Sequence, residues 1–443
     1  MSPPKGLLRH LALARIAWKA WHIDPIHTTM FHEKNMESFH ILIKELAMLK
    51  GPVVKLAQMI AMIPGILPHP YASALLSLCA HGPAMHWSMV LRRMNQELGP
   101  QWRTHFLDFE EKPTFAASIG QVHRARLMDG RQVAIKIQYP NMRRTILSDT
   151  TLINTLFKMI SPSKQSLDLQ HFHSEWKTRL MEELDYGLEV RHMNFWSILF
   201  KNHPNILIPT PLKSLSSPTV LTMSWIHEPS IQTAFSASAD QRNRLGKSLF
   251  LAWYTPFFQA AMIHGDPHIG NIAWDNKTSH LSLMDFGCVR IFSPQFIQSF
   301  CHLYMGLRTN NTQLTKKAYA EWGFSPLSQE IVQALNLWAR FLLAPFLMDK
   351  ECTLDQISSP QEAKNRLHHV YTALALHGGT QAPGEFLMFD RVAVILGSLL
   401  VRLNAKANWC TLMQSLVASF SLDQCTKNQN HLLAMAENND TVT

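Results

Sequence analysis

The octapeptide HGDPHIGN (264–271) places a carboxylate, Asp266, five residues before a side-chain amide, Asn271, in a stretch whose glycines and proline oppose regular structure. Fourteen residues beyond Asn271, the segment MDFG (284–287) supplies a second carboxylate, Asp285. Two carboxylates and an amide are oxygen donors of the kind Mg²⁺ accepts while it keeps several waters and bridges phosphates. In phosphoryl transfer that arrangement has defined roles: Asp266 would orient or deprotonate the attacking hydroxyl, and Asn271 and Asp285 would hold the metal. His264 and His268 offer a zinc alternative, but they lie on a Gly/Pro loop without helical register, and no further His/Cys pair completes a zinc set. Both histidines are expected to shape the loop by hydrogen bonding.

Phosphates also need a cation, and Lys136 in VAIKIQYP (133–140) stands in the V-A-I-K pattern of a strand lysine that engages them and is steadied by a helix glutamate. Lysine, loop aspartate, loop asparagine and D-F-G aspartate occur in the chain order of a protein kinase. One part differs. The strand-turn-strand before Lys136 reads FAASIGQVHRA, with Ala116, Ala117 and Ser118 where a glycine-rich loop would close backbone amides over phosphates. Alanine disfavours positive φ, so nucleotide contacts at Ala116, Ala117 and Ser118 are expected to differ from those of an ordinary protein kinase.

These residues require a small sheet and a set of helices to hold them. HFLDF, PTFAASIGQVHRARL and RQVAIKIQY read as strands, with MDGR (128–131) as the hairpin turn between the last two. A helix is expected over 171–200, short strands at ILIPT and TVLTMSWI, and a strand pair, NIAW and LSLMDF, beside the catalytic loop. The remainder from about 240 is read as helical. The pattern predicts an α+β, protein-kinase-like bilobal fold: a small antiparallel sheet lobe, a mostly helical lobe and a helical N-terminal extension. Its divisions are a helical extension at 1–104, a nucleotide-loop lobe at 105–228, a helical lobe at 229–430 and a polar tail at 431–443.

The segments KLAQM (55–59), AASIGQVH (116–123), VAIKIQYP, ELDYGLE (183–189), HGDPHIGN and MDFG together resemble the ubiquinone-biosynthesis (UbiB-like) atypical kinase family. The resemblance implies a kinase-like fold, binding of ATP or ADP with Mg²⁺, and ATPase or phosphotransferase activity supporting ubiquinone biosynthesis at a membrane. It implies that Lys136 pairs with Glu189, and that Lys55 and Gln58 lie across the active site on a helical extension, Lys55 reaching Glu183 of the E-x-D element Glu183 and Asp185. Such a cover would obstruct a protein substrate and favour small or lipid-like ones. This chain departs from the family pattern at Ala57 for a glycine, Phe115 for an alanine, Ile269 for a proline and His192 for a common asparagine. None of these removes a metal or lysine position.

Composition narrows the alternatives. The 443 residues carry 41 Lys+Arg against 32 Asp+Glu, a net charge of +9 that favours an anionic partner. From 5 to 22, Leu7, Leu11, Ala14, Trp18 and Trp21 share one helical face and Lys5, Arg9, Arg15 and Lys19 the other, a pattern suited equally to an anionic lipid surface or to docking on the protein. Quinone-precursor lipids and a biosynthetic protein complex are the further expected partners. The basic residues are dispersed without a recognition motif, so nucleic acid is not expected. The six cysteines form no C-x-x-C pair, the N-terminus lacks a secretory pattern, and VAVILGSLLV (392–401) is too short to span a bilayer. The expectation is a cytoplasmic protein, peripheral to the inner side of a membrane, neither secreted nor spanning it. Two other functions remain: a non-catalytic, nucleotide-gated scaffold, and a soluble small-molecule phosphotransferase, which would leave KLAQM, AASIGQVH and ELDYGLE unexplained.

Overall fold

The computed structural model of the chain describes residues 84–116, 119–146, 180–354 and 383–438, with isolated positions between 370 and 380. The expected amphipathic helix at 5–22, Lys55, Gln58, Ala117, Ser118 and the chain beyond 438 lie outside the described residues. The chain divides into two compact units, Met1–Val190 with Thr210–Trp225, and Arg191–Pro209 with Ile226–Thr443. The sequence reading separates the sheet lobe from the helical lobe at 228/229. The actual crossings follow strand pairing: residues 206–207 pair with 281–282, whereas 220–224 pair with 133–137.

In the first unit, helix α1 (Trp87–Leu98) precedes strands β1 (Phe106–Phe109), β2 (Phe115–Ala116), β3 (Gly120–Leu127) and β4 (Gln132–Gln138). The long β3/β4 hairpin turns at 128–131, as its Asp-Gly pair predicts, with Gly130 at φ +87°. Strand β4 lies between β3 and a later strand, so its residues are buried on both faces, Lys136 among them. That burial on both faces explains why VAIKI reads as an unbroken apolar run around one cation.

The helix expected over 171–200 is interrupted. Residues 180–183 are helical, the backbone breaks at Leu184–Asp185, and α2 starts afresh at Tyr186–Leu199. Asp185 caps the new start: Leu188 N–H donates to its Oδ1 at 3.2 Å and Glu189 N–H to its carbonyl at 3.2 Å. The sheet holds the break open, because Gln138 Nε2 donates to Leu184 O at 3.1 Å and Tyr186 N–H to Pro218 O at 3.1 Å. Periodicity registers no such break, since both halves keep helical spacing.

The second unit begins within α2 and continues with β5 (Ile206–Leu207); β6 (Val220–Ser224) returns to the first unit as the neighbour of β4. Helix α3 (Ala239–Ala260) is its central buried rod, entered through a Ser238/Gln241 capping box. It leads into β7 (Met262–His264), β8 (Ile272–Trp274), β9 (Leu281–Leu283) and β10 (Val289–Ile291). The expected pair β8/β9 is antiparallel, with β5 added in parallel; β7 and β10, which composition did not reveal, pair with each other. Beyond them come α4 (Pro294–Arg308), α5 (Thr312–Trp322), α6 (Gln329–Leu347), β11 (Cys352–Thr353), α7 (Gly384–Arg402), β12 (Lys406–Ala407), α8 (Trp409–Ser419) and α9 (Leu422–Asn438). The apolar run at 392–401 sits in α7 with Val392, Leu396, Leu399 and Leu400 buried. The segment from 431, expected as a polar tail, is helical to Asn438 because Leu432 and Gln429 anchor that face of α9 in the core. No helix among the described residues is long and apolar enough to cross a membrane.

Candidate functional site

In the first unit, Lys136 on β4 meets Glu189 on the first turn of α2. The Nζ donates to both carboxylate oxygens, at 2.9 and 2.8 Å, and both residues are buried. Tyr186 places its ring 5.1 Å from the ammonium, close enough for a cation–π contribution. Both Glu189 and Tyr186 owe their position to the break at Asp185, which starts α2 one turn before Glu189. Asp185 therefore serves as a helix cap, and Glu183 lies in the short helical segment before the break.

The alanine-rich loop is described at its ends. Ala116 closes β2, opposite Gln121. At the other end Gly120 approaches β4 so closely that a Cβ there would lie 2.6 Å from Ile137 O and 3.0 Å from the Tyr186 hydroxyl. Just beyond it runs a buried polar chain. Met85 N–H donates to Gln121 Oε1 at 2.6 Å, Gln121 Nε2 contacts His123 Nε2 at 2.8 Å, and His123 Nδ1 contacts Glu110 O at 2.8 Å. The carbonyl partner makes Nδ1 the donor and leaves Nε2 to accept from the Gln121 amide, so His123 is neutral. Burial holds its pKa below the ordinary histidine value in the same direction.

In the second unit, β7 delivers the catalytic loop and β10 carries the chain away from the D-F-G. Their pairing sets His264 opposite Val289, and Gly265 N–H donates to Cys288 O at 2.6 Å. A Cβ on Gly265 would meet Cys288 Sγ at 2.8 Å and Cys288 O at 2.9 Å, which explains why the residue before Asp266 is glycine. Asn271 turns its Nδ2 onto Asp266, 3.0 Å from Oδ2 and 3.3 Å from the carbonyl, leaving its own side-chain oxygen to ligate. Asp266 Oδ1 is shielded from solvent without a hydrogen-bonding partner. Met284 N–H donates to Asn271 O at 2.8 Å, tying the loop to the segment that presents Asp285.

Asp285 is exposed and stands at φ +58°, a left-handed conformation that costs a non-glycine residue roughly 1–3 kcal/mol. Its Oδ1 accepts from Gly287 N–H at 3.3 Å. The next carbonyl, Phe286 O, is 2.9 Å from His192 Nδ1 on the second half of α2. His264 and His268 are loop residues: His264 Nδ1 accepts from Asp266 N–H at 3.3 Å, and His268 Nδ1 accepts from Gly270 N–H at 3.0 Å. His264 is buried among Trp196, Trp253 and Phe286, and burial lowers its pKa against the raising influence of Asp266 and Asp285.

An all-oxygen set of Asp285 carboxylate and Asn271 amide, with a desolvated, unpartnered oxygen on Asp266, suits a hard cation bridging phosphates. The residues present therefore fit Mg²⁺ with a nucleotide. Of the residues expected from the sequence, the structure joins Lys136 to Glu189 and Asn271 to Asp266, and ties the Asn271 backbone to the segment that presents Asp285. The contributions of Tyr186, Gly120, Gly265 and Cys288 carry no signal of their own in the sequence, although Tyr186 stands inside ELDYGLE and Gly265 inside HGDPHIGN.

Residues 77–319, more than half of the chain, match the ABC1 atypical kinase-like domain. Among curated relatives, the atypical kinase COQ8, mitochondrial, of Schizosaccharomyces pombe is 29% identical over 325 residues, covering 72% of this chain and 52% of that protein. The COQ8 of Saccharomyces cerevisiae is 30% identical over 207 residues, 47% of this chain and 41% of that protein. AarF domain-containing protein kinase 1 of Xenopus tropicalis is 26% identical, over 62% of this chain and 53% of its own. The chain thus spans about half the length of the curated relatives it matches. Among solved structures, the Rv3197–erythromycin complex from Mycobacterium tuberculosis superposes with a TM-score of 0.62 at 23% identity, over 87% of this chain and 96% of that one, a likeness of fold. A kinase-like α+β fold and a domain match that takes in the strand lysine, the capped α2, the catalytic loop and the D-F-G together make this chain a member of the ABC1 atypical kinase-like family.

Proposed function

We propose that the protein binds Mg-ATP and works as an ATPase or as a phosphotransferase toward a small or lipid-like acceptor, in support of isoprenoid quinone biosynthesis at a membrane surface. The observation that carries the nucleotide reading is the catalytic-loop geometry: Asn271 holds one oxygen of Asp266 and leaves Oδ1 desolvated and unpartnered. A carboxylate oxygen shielded from solvent and left unpaired is costly unless a ligand completes it. In this reading Oδ1 accepts the proton of the attacking water or hydroxyl as the bond to the terminal phosphoryl group forms and the bond to ADP breaks. Asp285 and Asn271 supply oxygens to Mg²⁺, which when bound neutralises charge developing on the phosphates. Lys136, kept in place by Glu189 and Tyr186, donates to the nucleotide's phosphate oxygens. The quinone assignment draws on the relatives named COQ8, and the membrane on the basic amphipathic pattern at 5–22.

The test is Mg-dependent ATP hydrolysis by the full chain, with and without anionic vesicles, beside Asp285→Asn. Hydrolysis that rises with vesicles and disappears in the variant is the expected result. Mg-dependent nucleotide binding without hydrolysis in either condition would overturn turnover and leave a nucleotide-gated scaffold.

A further inference from the structure

Resting on the Mg-nucleotide reading of Asp285, we infer that His192 is a positioning residue for that carboxylate and acts through a single peptide group. His192 is buried on α2, and its Nδ1 lies 2.9 Å from Phe286 O. A carbonyl only accepts, so Nδ1 carries the proton and donates, in the neutral tautomer or the imidazolium alike. The carbonyl belongs to the Phe286–Gly287 peptide. That peptide's N–H donates to Asp285 Oδ1 at 3.3 Å.

A trans peptide is planar and its C=O and N–H point in opposite directions. Gripping Phe286 O therefore aims Gly287 N–H, and Gly287 N–H aims the carboxylate. A second carbonyl of the same turn is also held, since Cys288 O accepts from Gly265 N–H at 2.6 Å. Two fixed carbonyls, at 286 and 288, hold the backbone that directly follows Asp285 and leave it little freedom to turn that residue away, although its φ of +58° would otherwise favour relaxation. Metal ligands are oriented in this way by the groups that hydrogen-bond behind them.

The Nδ1 of histidine and the amide nitrogen of asparagine each stand one bond beyond Cγ, so either side chain presents a donor at the same reach. Glutamine carries its amide one methylene farther and overshoots the carbonyl.

The experiment compares the wild-type chain with His192→Asn and His192→Gln in two measurements. Hydrogen exchange over residues 284–290 of the ligand-free protein reads the anchor itself: Asn is expected to match the wild type and Gln to exchange faster. Nucleotide affinity with Mg²⁺ and with chelator reads the consequence. His192→Gln is expected to lose on the order of tenfold of the Mg²⁺-dependent gain in affinity, while His192→Asn keeps it and affinity in chelator is unchanged in both. If Asn and Gln behave alike in exchange and in the Mg²⁺-dependent gain, the inference is overturned. A wild-type protein with no Mg²⁺-dependent gain would instead defeat the nucleotide reading of Asp285, and the exchange comparison would still decide whether His192 anchors the segment.

Discussion

The Lys136–Glu189 pair separates two consequences of one contact. Both groups are buried and hydrogen-bonded through both carboxylate oxygens, so removing one partner strands the other. Glu189→Leu is expected to lower stability by about 3–5 kcal/mol, as stranded buried charges do. Replacing both, as Lys136→Met with Glu189→Leu, should recover most of that loss, because a well-packed apolar pair can substitute for an ion pair in stability. Nucleotide affinity should not recover, since the charge-assisted contact to phosphate is gone, a deficit of roughly 1.5–3 kcal/mol or about 10- to 100-fold. Chemical denaturation and nucleotide titration of the two variants check this, and affinity restored in the double variant would remove Lys136 from the phosphate role. The residue types of this pair were legible in the sequence, because V-A-I-K and the E-x-D segment each carry a local pattern. The Tyr186 ring beneath the ammonium was not, since fifty residues separate the two and only the capped break at Asp185 brings them together.

At the scale of elements, close backbone approach decides several positions. A Cβ on Gly120 meets the Ile137 carbonyl at 2.6 Å, and one on Gly265 meets Cys288 at 2.8 and 2.9 Å. Both Gly120→Ala and Gly265→Ala are expected to cost about 1–3 kcal/mol by overpacking, measured as a shift in denaturation midpoint, whereas Gly130→Ala meets no neighbour and pays only for its positive φ. The helix pair α6/α7 gives a pH signature. Asp390, which accepts from Trp338 Nε1 at 3.4 Å, has its pKa pushed up to about 6 by burial. The folded state then holds its proton more tightly than the unfolded chain, so stability falls as pH rises from about 4 through 6 and stays lower above. Asp390→Asn should raise stability by about 2–3 kcal/mol at pH 8, with no gain at pH 4, and equal effects at both would contradict the assignment. These features were not readable beforehand. The strands β7 and β10 have three residues each, too short for alternation to register, and their pairing joins positions 25 or more apart. The interruption in the expected 171–200 helix is imposed by Gln138 and Pro218, which are remote in sequence.

Over the whole chain, the residues proposed to serve the nucleotide fall in both units, Lys136 and Glu189 in one, Asp266, Asn271 and Asp285 in the other. Their order along the chain, together with the sheet-then-helix succession, made the kinase-like fold legible, because each part carries its chemistry within a run of eight or fewer residues. The crossings of the chain between units were not legible, since strand partners are chosen by tertiary pairing. If the two sets serve the same nucleotide, their effects should couple. The most direct measurement is a double-mutant cycle on Mg-ATP affinity with Lys136→Met, Asp285→Asn and the pair, each confirmed as folded. We predict that each single variant weakens Mg-ATP binding at least about tenfold and that the pair weakens it by clearly less than the product, an interaction energy of roughly 0.5–3 kcal/mol. Affinity indifferent to both substitutions and to Mg²⁺ would contradict the central claim that these residues bind a Mg-nucleotide.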